Sequence, residues 1–185
     1  MTRVCLVGEE EVNLRYELLS HETARNALVT YDLQEPFANT VAVDTVSLGA
    51  AVSLLNDLNW YLIRYVADAI VMEPSVSETE WLSRDLALAV RDDELEAEES
   101  GRFLKVYGVK EPEPERPFED SDVEPASADD SDDEDDAGPP ATSDDPPDLV
   151  EPMYVTRTGQ TIPEYDLQDV DDTLRVRVTE TEFGA

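Results

Sequence analysis

Apolar residues along the first 110 positions change their period several times, and each change marks an element. Arg3–Val7 (RVCLV) is a short β-branched run ending at Gly8 and reads as a buried strand. Next, Leu14, Leu18, Ala24, Ala27, Leu28 and Tyr31 fall near helical spacing, behind acids Glu9 to Glu11 that suit the positive end of a helix. Ser20 can cap a second helix starting at His21, which would break this helical stretch. Thr40–Val46 (TVAVDTV) alternates and predicts a second strand. Beyond Ser47, residues Ala51, Leu55, Leu58, Leu62 and Val66 recur at steps of four and three, the stripe of a long helix. Leu54, Trp60, Tyr61, Ile63 and Tyr65 make much of its remaining surface apolar, so it needs cover on most sides.

Ala69–Glu73 (AIVME) predicts a third strand ended by Pro74. Ser77 with Glu80 three residues on has the capping-box pattern, and Leu82, Leu86, Ala89 and Val90 supply a helix stripe after it. Arg102–Val109 (RFLKVYGV) alternates and predicts a fourth strand. Strands and helices thus take turns. That order predicts an α/β domain over 1–110, a four-stranded largely parallel sheet with three helices.

The pattern then stops. Residues 111–152 are rich in Pro, Asp, Glu and Ser without apolar periodicity, the composition of a disordered acidic linker. From 153 the β signals return. Gly159 sits between two β-prone runs like a hairpin turn, and Leu174, Val176 and Val178 alternate with Arg175, Arg177 and Thr179. So short a β segment is marginal alone, so 153–185 is expected to dock on the α/β domain or on a partner.

Composition adds a setting. The formal net charge is −32, of which residues 111–151, with 18 acids and one base, contribute −17. The folded part is acidic too, with 20 acids against 9 bases over 1–110. The bases of the whole chain are 11 Arg and only two Lys, Lys105 and Lys110. Such a chain repels itself in dilute buffer. At about 1 M salt the Debye length falls to roughly 3 Å and most of that repulsion is screened. With this balance in view, the stretches MTRVCLVG, LRYELLS, LLNDLNWYL and EPSVSETEWLS resemble an uncharacterised family of small acidic proteins from halophilic archaea. The resemblance implies adaptation to high salt and carries no catalytic signature, so it transfers no site residue.

Candidate chemistry is sparse. One cysteine, Cys5, and one histidine, His21, cannot build a four-ligand zinc site within one chain. They suit a reducing cytoplasm, and neither an export signal nor a membrane span is legible. In the acid run, Asp133, Asp135 and Gly138 match calcium-loop positions 1, 3 and 6, but Ala137 and Asp144 fail positions 5 and 12. Gly8 stands where a dinucleotide fold carries G-x-G-x-x-G, yet Glu9 to Glu11 follow and would repel a pyrophosphate. A Cys5–His21 nucleophile is disfavoured because Cys5 lies mid-strand, where it packs as a small hydrophobe. No catalytic, cofactor or metal residue is therefore assigned.

Asp44 and Glu73, at the ends of strands two and three, are the candidates for an enzyme that uses strand-end carboxylates, with Mg²⁺ as an optional cofactor. Trp60, Tyr61, Tyr65 and Trp81 form a candidate partner face. Nucleic acid is disfavoured, since the only local base cluster, Arg157, Arg175 and Arg177, has the chain's own acids to pair with. The sequence thus favours a non-enzymatic cytoplasmic interaction module or homo-oligomer. The strand-end enzyme is the alternative, and an acidic tail that binds basic proteins is the third reading. Ser121, Ser127, Ser131 and Ser143 lie among acids where acid-directed kinases act.

Overall fold

The structure is a computed structural model that describes residues 1–113 and 145–184. Its strands are β1 (Thr2–Gly8), β2 (Thr40–Thr45), β3 (Val66–Met72), β4 (Trp81–Ser83), β5 (Phe103–Lys110), β6 (Asp148–Thr156) and β7 (Asp172–Val178). Its helices are α1 (Leu14–Ser20), α2 (Glu22–Leu28), α3 (Leu48–Asp57), α4 (Asn59–Tyr65), α5 (Arg84–Arg91) and α6 (Glu180–Phe183). All seven strands join one sheet in the order β2-β1-β3-β4-β7-β5-β6.

This corrects the expected four-stranded, largely parallel sheet with three helices. The sheet is mostly antiparallel, and among the described residues only β4 and β7 pair in parallel. The reason lies in the crossovers. A single helical pass returns the chain parallel, whereas two short passes reverse it. The first helical stretch breaks at His21, whose extended φ −95° and ψ 124° separate α1 from α2, and β2 comes back antiparallel beside β1. Helices α3 and α4 instead form nearly one rod. Only Leu58 (φ −89°, ψ 0°) interrupts it, and the bonds from Leu58 N–H to the Leu54 carbonyl and from Leu62 N–H to the Leu58 carbonyl run through the joint. This rod carries β3 to the far side of β1, parallel in direction to β2 but not its neighbour.

A second correction concerns the helix expected after Ser77. Ser77 Oγ does accept from the Glu80 N–H at 3.1 Å, but the chain then enters β4. The helix starts one turn later at Arg84, capped by Ser83, whose Oγ accepts from Leu86 N–H at 3.2 Å. Ser77 closes a turn and Glu80 is freed for another role. Likewise Gly159 (φ 65°) makes a turn with a single Thr158–Thr161 bridge, not a full hairpin. Of the segment read as linker, residues 114–144 lie outside the described residues, with the tail serines and the calcium-like spacing. Asp148–Thr156 belong to β6.

Alternation along the strands builds two cores. Val4, Leu6, Val41, Val43, Ala69, Val71 and Leu82 face the helices and meet Leu14, Leu18, Leu28, Leu55, Leu58 and Leu86. Cys5, Ala42 and Ile70 face the other way and pack against Tyr107 and Val109 of β5 and Leu174, Val176 and Val178 of β7. Strands β3 and β5 are not neighbours in the sheet, so their side chains meet only because the sheet coils over its own inner face. The Ala38 N–H to Pro147 carbonyl bond (2.8 Å) ties the two ends of that curl.

Candidate functional site

Three polar or aromatic constellations stand out from this frame. The first is on the helical layer. The exposed positions of the α3–α4 rod are Ser53, Asn56, Asp57, Trp60, Ile63 and Arg64 on one side, at steps of three and four, with Asn59 beside them. Trp60 is 48% exposed and Ile63 74% exposed, while Tyr61 and Leu62 between them are buried. Trp60 is nonetheless held. The His21 ring lies 6.0 Å away, Tyr61 meets it edge-on at 5.0 Å, and the Arg64 guanidinium sits 3.7 Å over the indole. His21 is itself set by a 2.7 Å contact from Nδ1 to the Glu17 carbonyl oxygen. Residues 45–67 hold one acid, Asp57, and one base, Arg64, in a chain where nearly a quarter of positions are acidic.

The second constellation sits at one mouth of the curled sheet. Asp68 of β3 accepts from Tyr107 Oη at 2.7 Å and pairs with Lys105 Nζ at 2.5 Å. The Asp68 and Lys105 side chains are each only 12% exposed. Burial, then the Asp68 charge and bond, push the Tyr107 phenol well above its ordinary range. A cavity of about 700 Å³ opens beside them, lined by Glu9 to Glu11, Leu149, Glu151 and Tyr154 among others. One of the chain's two lysines occupies this mouth. That scarcity was the only sequence signal for it, because the partner Asp68 lies in a different strand.

The third is a buried ion-pair cluster. The carboxylate of Glu80, 5% exposed, takes Arg177 Nε at 2.6 Å and Arg157 Nη2. Arg177 also donates to Ser100 Oγ at 2.9 Å. Nearby, Ser83 Oγ donates to Glu182 at 2.7 Å. The bonds of Glu80 and Ser83 join β4 and the residue before it to the last forty residues.

Residues 2–109 match a family of unknown function, DUF5804. The chain belongs to this family. The match ends inside β5, so β6 and β7, the two strands that β5 pairs with, lie beyond the family's stretch. No curated protein and no solved structure matches the chain. The chain's described residues form an α/β fold in which no helix is long and apolar enough to cross a membrane.

Within the family domain the sequence-selected residues separate. Trp60, Tyr61 and Tyr65 come together around His21, the Tyr65 ring at 5.8 Å from it. Trp81 does not join them; it lies on β4 and packs into the inner core on the opposite side of the sheet. Asp44 and Glu73 do reach the same end of the sheet, one on each side of the start of β1. Arg3 holds Asp44 through two bonds of 2.8 and 3.0 Å and keeps its carboxyl below the usual range. Burial works against the Glu73 carboxylate, but bonds from Thr2 Oγ1 and from Ser75 outweigh it, and its pKa too is lowered. Both acids tie strand ends together. Cys5 faces the inner core and His21 the helical layer, so they do not meet. Burial, the largest influence, pushes the Cys5 thiol up to about 12.

Proposed function

We propose that this protein works by binding another protein through the outer side of the α3–α4 rod, in a setting of concentrated salt. The observation that carries this is Trp60, half exposed yet clamped by His21, Tyr61 and Arg64. An ordered aromatic loses little freedom on contact, and Trp and Arg dominate protein interfaces. Charge is depleted around it, as at interface centres. High salt suits such a contact, since it screens the acid shell and leaves apolar attraction intact.

A photo-crosslinker replacing Ile63 should give an adduct of defined mass in cells making the protein. The same group replacing the exposed Glu94 should give none, and Trp60→Ala should suppress the adduct from position 63. Equal labelling from both positions, or none from position 63, would sink the proposal. A strand-end enzyme has less support, because Asp44 and Glu73 already spend their oxygens on Arg3, Thr2 and Ser75.

A further inference from the structure

The exposed strip of the α3–α4 rod has a charge order of its own. Asp57 stands at one end and Arg64 at the other, seven positions or two helical turns apart. Between them lie Trp60 and Ile63, both uncharged and both open to solvent. Among the described residues neither Asp57 nor Arg64 is in an ion pair. Arg64 only stacks on Trp60 and reaches its carbonyl oxygen at 3.4 Å. On a neighbouring helix, Arg84 of α5 donates to Asn56 Oδ1 at 3.4 Å beside the acidic end.

A strip with minus at one end, plus at the other and apolar residues between is complementary to itself when turned end for end. Two such strips laid antiparallel about a two-fold axis bring each Asp57 to the other copy's Arg64. The axis then passes beside Trp60, which faces its counterpart, while each Ile63 lies toward the other copy's exposed Asn59. This is the rule of an isologous contact, in which residue i meets j and j meets i. Net charge argues for the same place. Two copies at −32 each repel over most of their surface, but residues 45–67 sum to zero.

We infer that the partner is a second copy of this chain, joined α3–α4 rod to α3–α4 rod around a two-fold axis. This rests on the reading of the rod as the contact face and adds the partner's identity.

Sedimentation equilibrium of the full chain tests it, at about 0.5 M and about 2 M KCl so that screening can be varied. The wild-type chain should show a monomer–dimer equilibrium. Asp57→Arg alone and Arg64→Asp alone each place like charges opposite one another twice per dimer, and each should weaken dimerisation about tenfold at the lower salt. The double variant Asp57→Arg with Arg64→Asp regains the self-complementary order, without the Arg64 stack on Trp60, and should dimerise more tightly than either single variant. Ile63→Asp should leave a monomer. All these side chains are exposed, and circular dichroism of each variant should match the wild type. A chain that stays monomeric to millimolar concentration overturns the inference, as does a double variant no better than the single ones. If position 63 instead cross-links to a different polypeptide while the chain is monomeric, the contact face stands and the second copy falls.

Discussion

Arg177, on the last strand, donates through Nε to the buried carboxylate of Glu80 at 2.6 Å, across 97 positions of chain. Arg157 binds the same carboxylate, so one acid of the family domain holds two bases from beyond it. Removing one partner of a buried pair strands the other charge in a poor solvent. Glu80→Gln should therefore cost about 3–5 kcal/mol in chemical unfolding. Arg177→Met should cost less when Glu80 is already Gln, and a double-mutant cycle reads the difference. Additive effects would mean that the three groups do not act together.

Among the described residues strand β5 has hydrogen-bonded strand neighbours only in β6 and β7, and β4 meets β7 through two residue pairs, Trp81–Val176 and Leu82–Arg177. A chain ending at residue 113 leaves β5 without a ladder and opens the inner core formed with Leu174, Val176 and Val178. It should lose cooperative unfolding and bind hydrophobic dye. A separately added 145–185 peptide should restore part of the near-ultraviolet signal. A sharp two-state transition from the truncated chain alone would refute this account.

At the mouth of the curl, Tyr107→Phe deletes one hydrogen bond but leaves Asp68 its lysine, a loss of about 1 kcal/mol. Lys105→Met leaves the nearly buried Asp68 without a cation and should cost about 3 kcal/mol. Ultraviolet titration offers a second check. The folded Tyr107 phenol is raised above its unfolded value of about 10. Its contribution is thus complete below about pH 10 and lost as pH rises beyond it. One tyrosine should stay protonated until alkaline unfolding, and in Tyr107→Phe that late-titrating signal should vanish.

Acid works in the opposite direction at the other sheet end. Arg3 lowers the Asp44 carboxyl below its unfolded value, so this pair stabilises above about pH 4 and its share is lost as pH falls through the lowered folded value. Both side chains are partly exposed, and the energy is correspondingly small. Carbon-detected titration should show the Asp44 carboxyl moving back up toward about 3.9 in Arg3→Gln. An unmoved Asp44 would show that Arg3 is not the cause.

The local pattern determined much of this molecule. Strand runs such as Arg3–Val7 and Thr40–Val46, and the stripe from Ala51 to Val66, became elements close to where the periodicity put them. Period is a property of neighbouring residues, so one chain carries it. The excess of apolar surface on the long helix was also legible, and it reappears as exposed Trp60 and Ile63.

Strand direction was not legible, because it depended on whether a helical stretch breaks. A single extended residue, His21, changed a parallel return into an antiparallel one. Nor were the pairings. The capping-box pattern at Ser77 and Glu80 is a local rule, and it lost to Arg157 and Arg177, which reach Glu80 only after the sheet has closed around β7. Lys105, Tyr107 and Asp68 meet for the same reason, the coil of the sheet that sets β5 over β3. Sequence alone thus specified most strands and helices of the first 110 residues, though not β4 or β6, and where apolar surface is in surplus. The tertiary fold alone decided which distant charges neutralise each other, since burial makes an unpaired ion costly and the final packing selects its partner.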